Sequence, residues 1–404
     1  MNSDLLQAPG AQLEPKTNGR PLPSRPAAGR YDAVVVGGGL AGSAVAIGLA
    51  RSGARVALLE KEARTFGKVC GEFLSREALT YLDRLGVDPD GLGGVPMDGV
   101  RLRSRQHNVD VRLPFRALGL SRHVLDEELI GRAAQEGVDV HRGIRARKLT
   151  GEVGRWRVET DKQDFDGREI FLATGKHDLR GWTRECGKGV QSGLAGFKQH
   201  WKLTPAQSGA LGNHVELVFV PGGYCGINPV EGGETNVCLL LDKAQAGPGW
   251  DRDFGSIDPA IAERLVGADP VHPKMHAVSS IPYGYIARTS DGVWRLGDQG
   301  AVIPSFAGDG MSIALHSASL AVAAWQRGYD ADRYQARLAR DVRYRIRQAT
   351  WLSQALVSPR YQSKLLAIAE SAPWVVSGIA RMTRLPNPAM KRAVAPTDGR
   401  GANW

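Results

Sequence analysis

Cysteine is scarce in this chain of 404 residues. Only Cys70, Cys186, Cys225 and Cys238 occur, and no two are spaced as C-x-x-C. That excludes a disulfide scaffold and a spaced zinc site, and it fits a reducing compartment, so a cytoplasmic location is expected. Long apolar runs are almost missing too. Ala33–Ala50 is long enough to invite a membrane-spanning reading. Its glycines, three of them consecutive, would each penalise a continuous helix. The N-terminus has no charged head followed by an apolar run, so no secretory signal is expected. The chain has 52 Lys and Arg against 42 Asp and Glu, a net charge of +10, but no zinc-finger or RNA-binding signature accompanies them. The basic residues are spread along the chain, with clusters at Arg101–Arg105 and Arg333–Arg347. This reads as a solvated basic surface and no nucleic-acid partner, with a basic C-terminal third suited to peripheral contact with anionic lipid.

What is present alternates. Residues 1–30 are rich in Pro, Gly, Gln and Asn and read as a disordered leader. Tyr31–Val36 is a β-branched strand, Leu40–Arg51 has helical spacing, and Arg55–Glu60 is a second strand. A helix is expected at Ser75–Leu85, with Ser75 as N-cap and Gly86 as its stop, and another at Ser121–Gly137. Strands are expected at Val138–His141, Arg155–Thr160 and Glu169–Ala173. From Gly193 to Ile281 strands dominate, at Ala195–Leu203, His214–Val220 and Thr235–Leu241, with one helix near Pro259–Val266. A strand at Val293–Leu296 and a helix at Gly310–Gln326 restore the α/β character, and the chain from Asp330 onward reads as helical and basic.

The turn between the first strand and helix carries G-x-G-x-x-G at Gly37, Gly39 and Gly42, and the second strand ends in Glu60. In that context each residue has a physical task. Gly37 permits the tight turn, Gly39 lets backbone approach a pyrophosphate, and Gly42 lets the helix pack close to the sheet. The helix N-terminus presents free N–H groups to the phosphates. Glu60 can accept ribose hydroxyls, and its charge disfavours a 2′-phosphate. A second region, Trp294–Leu315, ends a strand at Gly297-Asp298, passes through Pro304, and opens a helix after Gly308 and Gly310. Asp298 suits another sugar or ribityl hydroxyl, and the helix N-terminus suits the electron-rich edge of a flavin.

These residues resemble the FAD-dependent oxidoreductases that include geranylgeranyl reductases and para-hydroxybenzoate-hydroxylase-type monooxygenases. The likeness runs from Tyr31 to Gln326. It implies that Arg122 lies near the FAD pyrophosphate or ribose, and that Ala173-Thr174-Gly175 returns the chain toward the FAD domain. Lys68-Val-Cys-Gly-Glu-Phe-Leu-Ser75 is similar to the reductase branch's Lys-x-Cys-Gly segment beside the flavin ring. Pro221–Pro229 is similar to that branch's Tyr-x-Trp-x-Phe-Pro motif. Tyr224 and Pro229 match, while Gly226 and Asn228 replace its Trp and Phe, which argues for a smaller or more polar group than a long prenyl chain.

The fold expected is α/β: a Rossmann-type FAD-binding domain with an inserted, mostly antiparallel β-sheet substrate domain and a helical C-terminus. The boundaries are a leader over 1–30, the FAD-binding domain over 31–190 and 286–330, the inserted sheet over 191–285, and the helical basic region over 331–404. The cofactor is FAD, with NADH or NADPH as transient electron donor or a separate reductase in that role. Tyr224 and Cys70 are the candidates to protonate a C=C bond reduced by hydride from the flavin. The bland readings are a sheet-capping tyrosine and a small buried cysteine; a cationic neighbour such as Lys68 would instead make Cys70 reactive. The alternatives are hydroxylation of an aromatic or polyketide-type substrate through a flavin C4a-hydroperoxide, or a flavin-binding membrane-surface protein without catalysis. Halogenation is disfavoured, because the paired tryptophans of the related halogenases are missing. Ser363–Arg384 is amphipathic and serves either as a lid on the FAD domain or as a bilayer contact.

Overall fold

A computed structural model describes residues 30–394 except 66, 186, 188–189, 192, 245–253 and 255–256. Most of the expected leader, and Cys186, therefore lie outside the described residues. In chain order the first elements are β1 (Tyr31–Val36), α1 (Leu40–Arg51), β2 (Val56–Glu60), β3 (Phe73–Ser75), α2 (Arg76–Leu85), β4 (Val95–Arg103), β5 (Asn108–Gly119) and α3 (Arg122–Gln135). Then come β6 (Asp139–Arg142), β7 (Ala146–Glu152), β8 (Arg155–Thr160), β9 (Phe165–Leu172), β10 (Leu194–Lys202), α4 (Pro205–Leu211), β11 (His214–Val220), β12 (Gly223–Pro229) and β13 (Thr235–Asp242). The remainder is α5 (Pro259–Leu265), β14 (Asp269–Pro270), β15 (His276–Ser279), β16 (Trp294–Arg295), α6 (Gly310–Gln326), α7 (Ala331–Val357), α8 (Pro359–Ser371), α9 (Pro373–Met382) and α10 (Asn387–Val394).

A seven-stranded sheet runs β6-β2-β1-β9-β8-β7, with β16 beside β9. Strands β6, β2, β1, β9 and β16 are parallel. Their apolar runs fit a sheet covered on both faces, and Val56–Glu60 is buried throughout. Close packing on this sheet is set by missing side chains. A Cβ at Gly42 would stand 1.8 Å from the Gly37 carbonyl oxygen, and one at Gly48 would stand 2.5 Å from Val322 of α6. Helices α1 and α6 therefore approach each other and the sheet more closely than alanine would allow.

A nine-stranded sheet runs β14-β10-β13-β12-β11-β4-β5-β3, with β15 beside β10. It is antiparallel except for the β11–β4 pair. The sheet expected between residues 191 and 285 is present, but it is not confined to that segment. Strands β3, β4 and β5, from residues 73–119, complete one side of it. Sequence order hides this join, because β4 pairs in parallel with a strand more than a hundred residues later.

Helix ends follow local chemistry. Ser121 caps α3 by accepting from the Val124 N–H at 3.2 Å, and Gly86 ends α2 in the left-handed region at φ 76°. Ser75 precedes α2 as expected, but its hydroxyl does not cap the helix. It bonds instead to Ser312 at 2.8 Å, tying α2 to α6. Helix α7 carries Tyr334, Leu338, Val342, Ile346 and Ala349 as a buried stripe, with arginines opposite. Trp294 anchors that stripe. It stacks on Phe171 at 5.2 Å, lies 5.3 Å from Tyr334, and donates to Glu169 at 3.0 Å. Trp294→Ala should lower the unfolding free energy by about 3–5 kcal/mol, read as a shifted urea midpoint.

Candidate functional site

The β1–α1 turn forms a cradle whose walls are backbone. Gly37 has φ 109°, and a Cβ on it would lie 2.4 Å from the Ala173 oxygen. Gly39 caps α1 without a side chain, so no side-chain acceptor occupies the first-turn N–H groups. Glu60 is buried at the end of β2. It accepts from Gly38 N at 2.8 Å and from Glu62 N at 3.0 Å, which aims the carboxylate at the turn.

Two cations converge over Gly39. A Cβ there would meet Lys68 Nζ at 3.3 Å and Arg122 Nη2 at 3.4 Å. Both are held by the fully buried Asp126, with Arg122 at 2.9 and 3.0 Å and Lys68 at 2.9 Å. Burial alone would raise the Asp126 carboxyl, but Arg122 and Lys68 hold it below the usual range. Two positive groups on one carboxylate leave net positive charge beside a helix N-terminus, which suits a diphosphate. Asp126 lies one helical turn beyond Arg122. That i, i+4 spacing was visible in the sequence, and its use to orient the phosphate side was the missed signal.

A cavity of about 640 Å³ opens from this cradle. Gly37, Gly39, Glu60, Cys70, Arg122, Asp298, Gly308 and Gly310 all border it. Gly42 does not; it works from behind, through packing. Asp298 pairs with Lys176 at 3.4 Å. Gly308 has φ 64° and lies against Phe73, where a Cβ would come within 2.9 Å. The cavity is walled by backbone at the cradle and cationic there, and so fits FAD. The residues able to hold the cofactor are those of the cradle, with Asp298 and the N-terminus of α6 farther along.

Cys70 lies where this cavity meets the second sheet. Its Sγ accepts from Glu72 N at 3.4 Å, its carbonyl accepts from Asn236 at 3.3 Å, and the Arg122 guanidinium faces its thiol. The cation facing Cys70 is thus Arg122, and Asp126 engages both Arg122 and Lys68. Tyr224 is not in the FAD cavity. It lines a second, apolar cavity of about 200 Å³ that shares Gly71, Phe73, Cys238, Ser305 and Gly308 with the first. Tyr224 and Tyr283 both bond to Ser305, at 2.5 and 2.8 Å. Burial pushes the Tyr224 hydroxyl well up, and the Cys238 thiol up to about 12.

Strand register explains the change from charged to apolar. Lys198 of β10 is paired with His276 and Cys238, Cys238 with Gly226, Gly226 with Leu217, and Leu217 with Leu102. One row across the sheet therefore passes from charge, through a cysteine and a glycine, to aliphatic side chains. The charged end, Glu72 with Lys198 and His200, was not legible in the sequence. His200 reads there as a member of a half-buried strand, and its partner lies 128 residues away.

Asp309 sits at the start of α6, buried, with Oδ2 unpartnered and Oδ1 3.4 Å from Arg384. Burial raises its carboxyl to about 6 despite Arg384. Folding therefore favours the protonated form. This contribution to stability is complete below about pH 4 and is lost as pH rises through about 6. Asp309→Asn should flatten the decline in thermal midpoint over that window, read by melting curves at stepped pH.

Residues 30–166 match the family described as FAD binding domain. Digeranylgeranylglycerophospholipid reductase 1 of Methanopyrus kandleri is 26% identical over 306 residues, covering 70% of this chain and 77% of that protein. Menaquinone reductase of Mycolicibacterium smegmatis is 27% identical over 228 residues, covering 52% and 54%. Among solved structures, a geranylgeranyl bacteriochlorophyll reductase-like protein from Thermoplasma acidophilum superposes with a TM-score of 0.66 at 17% identity, over 91% of this chain and 96% of that one. A point mutant of the halogenase PltM in complex with FAD gives 0.70 at 16%, over 88% and 85%. At those identities the structures speak for the fold alone. The matched FAD binding domain, the similarity to reductases and the backbone cradle together mark this chain as an FAD-dependent oxidoreductase.

Proposed function

We propose that this protein saturates a C=C bond in a lipophilic, prenyl-type molecule. The observation that carries this is the apolar cavity meeting the FAD cavity at Gly71, Phe73, Cys238, Ser305 and Gly308. Gly226 and Asn228 line it. The smaller side chains at these positions, read from the sequence as evidence against a long chain, leave apolar volume between β11, β12 and the C-terminal helices. Leu217, Phe219, Leu365, Leu366, Val376 and Ile379 supply walls with which an alkyl chain exchanges water for dispersion contact. The reductases among the relatives, by their names, support the same reading.

Reduced FAD, when bound, supplies the hydride. The chain's residues bind, orient and protonate. Gly37, Gly39, Glu60, Lys68 and Arg122 hold the dinucleotide, with Asp298, Gly308 and Gly310 along the flavin half. Tyr224, fixed by Ser305, orients a polar group, and Cys70, next in sequence to Gly71 at the junction, is the candidate acid. Lys61, Arg145 and Lys176 form a cationic rim suited to the phosphates of a transient NADH or NADPH.

Anaerobic reduction of the yellow holoprotein, followed by addition of an unsaturated prenyl lipid, should bring back oxidised flavin absorbance and yield saturated product. Reoxidation by air alone, with an oxygenated aromatic as product, would overturn the reductase reading in favour of hydroxylation. A Cβ at Gly226 meets only ordinary contacts, 3.6 Å from Leu217. Gly226→Trp should therefore fill the cavity, raise KM for the lipid at least about 10-fold and leave FAD binding unchanged.

The C-terminal helices supply a route to such a substrate. Among the described residues, Tyr344, Trp351, Tyr361, Ile368, Trp374 and Met382 on α7, α8 and α9 are exposed, Trp374 by 76%. Exposed Arg343, Arg347, Arg360, Lys364 and Arg381 stand among them. Exposed aromatic and basic groups in one segment suit the interface of an anionic bilayer. The inner faces of α8 and α9 line the apolar cavity, so one segment serves both as lid and as contact surface. No single described helix is long and apolar enough to cross a membrane. Trp374→Glu should reduce co-sedimentation with phosphatidylserine-containing vesicles several-fold while flavin content stays the same.

A further inference from the structure

Saturating a double bond needs a proton for each hydride, and the apolar wall of the cavity is poorly placed to supply it from water. Tyr224 and Cys238 are buried, and burial raises both groups. A continuous run of titratable groups enters from the other end of the sheet. Glu234, just before β13, has 28% of its side chain exposed and lies 2.9 Å from His200 Nδ1. His200 Nε2 lies 2.7 Å from Glu72, and the other oxygen of Glu72 accepts from Lys198. Side-chain exposure falls along this run from 28% at Glu234 through 16% at His200 to 0% at Glu72 and 1% at Lys198.

We infer that Glu234, His200, Glu72 and Lys198 form a proton path from solvent to the cavity wall beside Cys70.

This rests on the proposed reduction, which consumes the proton. Glu72 borders the FAD cavity together with Cys70 and Cys238, and Lys198 is in register with Cys238 and His276, which also border it. His200 has a carboxylate at each ring nitrogen, so it can take a proton at Nδ1 and release one at Nε2. A merely structural clamp would not need its charges graded from solvent inward. Replacing a buried ion cluster by apolar side chains is often neutral or stabilising, so packing alone does not account for it. Glu72 also holds φ 52°, the left-handed region that a non-glycine residue seldom adopts. Its N–H, carbonyl and carboxylate are all bonded, to Cys70, Leu120, Lys198, His200 and the Arg122 N–H.

The charges facing the path come from several elements. Lys198 and His200 lie on β10, Glu72 precedes β3, Glu234 precedes β13, His276 lies on β15, and His272 and Lys274 precede it. Burial would raise Glu72, but Lys198 and His200 hold it below the usual carboxylate range, so its carboxylate can relay between the two.

The balance is one hydride and one proton added across the bond. The hydride brings both electrons from reduced flavin to one carbon. The π pair forms the second C–H bond with a proton from the Cys70 end of the path. One proton then moves inward from solvent through Glu234, His200, Glu72 and Lys198 to replace it.

The test uses reduced holoenzyme in stopped flow, with an unsaturated prenyl lipid as oxidant, in H₂O and D₂O between about pH 6 and 8. His200→Ala should slow flavin oxidation about 100-fold, change the solvent isotope effect, and recover with added imidazole, while FAD content stays at the wild-type level. Unchanged rate and isotope effect would overturn the path. So would a loss that accompanies loss of FAD and that imidazole does not restore. A second readout needs no lipid turnover: the pH profile of Cys70 alkylation by iodoacetamide in the full-length protein. It should move in His200→Ala and Lys198→Met. If wild type reduces no alkene, the reduction reading fails, and a profile identical in all three proteins still overturns the path separately.

Discussion

The absence of a side chain at Gly42 is the constraint on which the site depends. With the Gly37 oxygen only 1.8 Å from where a Cβ would be, the first turn of α1 lies directly on the end of β1. That contact directs the helix N–H groups at the cavity and brings Glu60, at the end of β2, beside the Gly38 N–H. The same closeness is repeated at Gly48 against α6, so the two helices whose N-termini border the cavity are packed on each other and on one sheet. A cofactor held by backbone in this way is positioned by rigid elements instead of by flexible side chains.

Positive charge is then concentrated by burying a single negative one. Asp126 takes both Lys68 and Arg122, which come from different parts of the chain, and leaves them over Gly39 with charge to spare. Loss of that carboxylate would remove the hydrogen bonds that aim both cations. Buried pairs of this kind are weak stabilisers. Their value here is orientation.

The second sheet works as a gradient. Its β15–β10 end carries His276, Lys198 and His200. Its β12–β11–β4–β5 end carries Gly226, Leu217, Leu102 and Val109. Alternation along each strand puts these residues on one face, and strand order makes them a row. The first cavity and the apolar cavity are neighbouring stretches of that row, and Cys238 borders both. Helices α8 and α9 cover the apolar stretch, and Arg384 closes on the loop before α6 through the carbonyls of Ala307 and Gly308.

By itself, the sequence determined whatever is written in neighbouring residues: β1, α1, α6, β8, β11 and the glycine cradle with Glu60, because turn chemistry and periodicity act over a few residues. It also carried the family-like segments at Cys70 and Tyr224. What the tertiary structure alone decided was which distant residues meet. Glu72 reaches His200 across 128 positions, Asn236 reaches Cys70 across 166, and β4 finds β11 in parallel. Such pairings leave no periodic trace, since each depends on strand order and on burial shared by segments that the chain itself holds far apart. Gly226 shows the difference most plainly. In sequence it is a lost aromatic, and in the folded protein it is the space that aromatic would have filled.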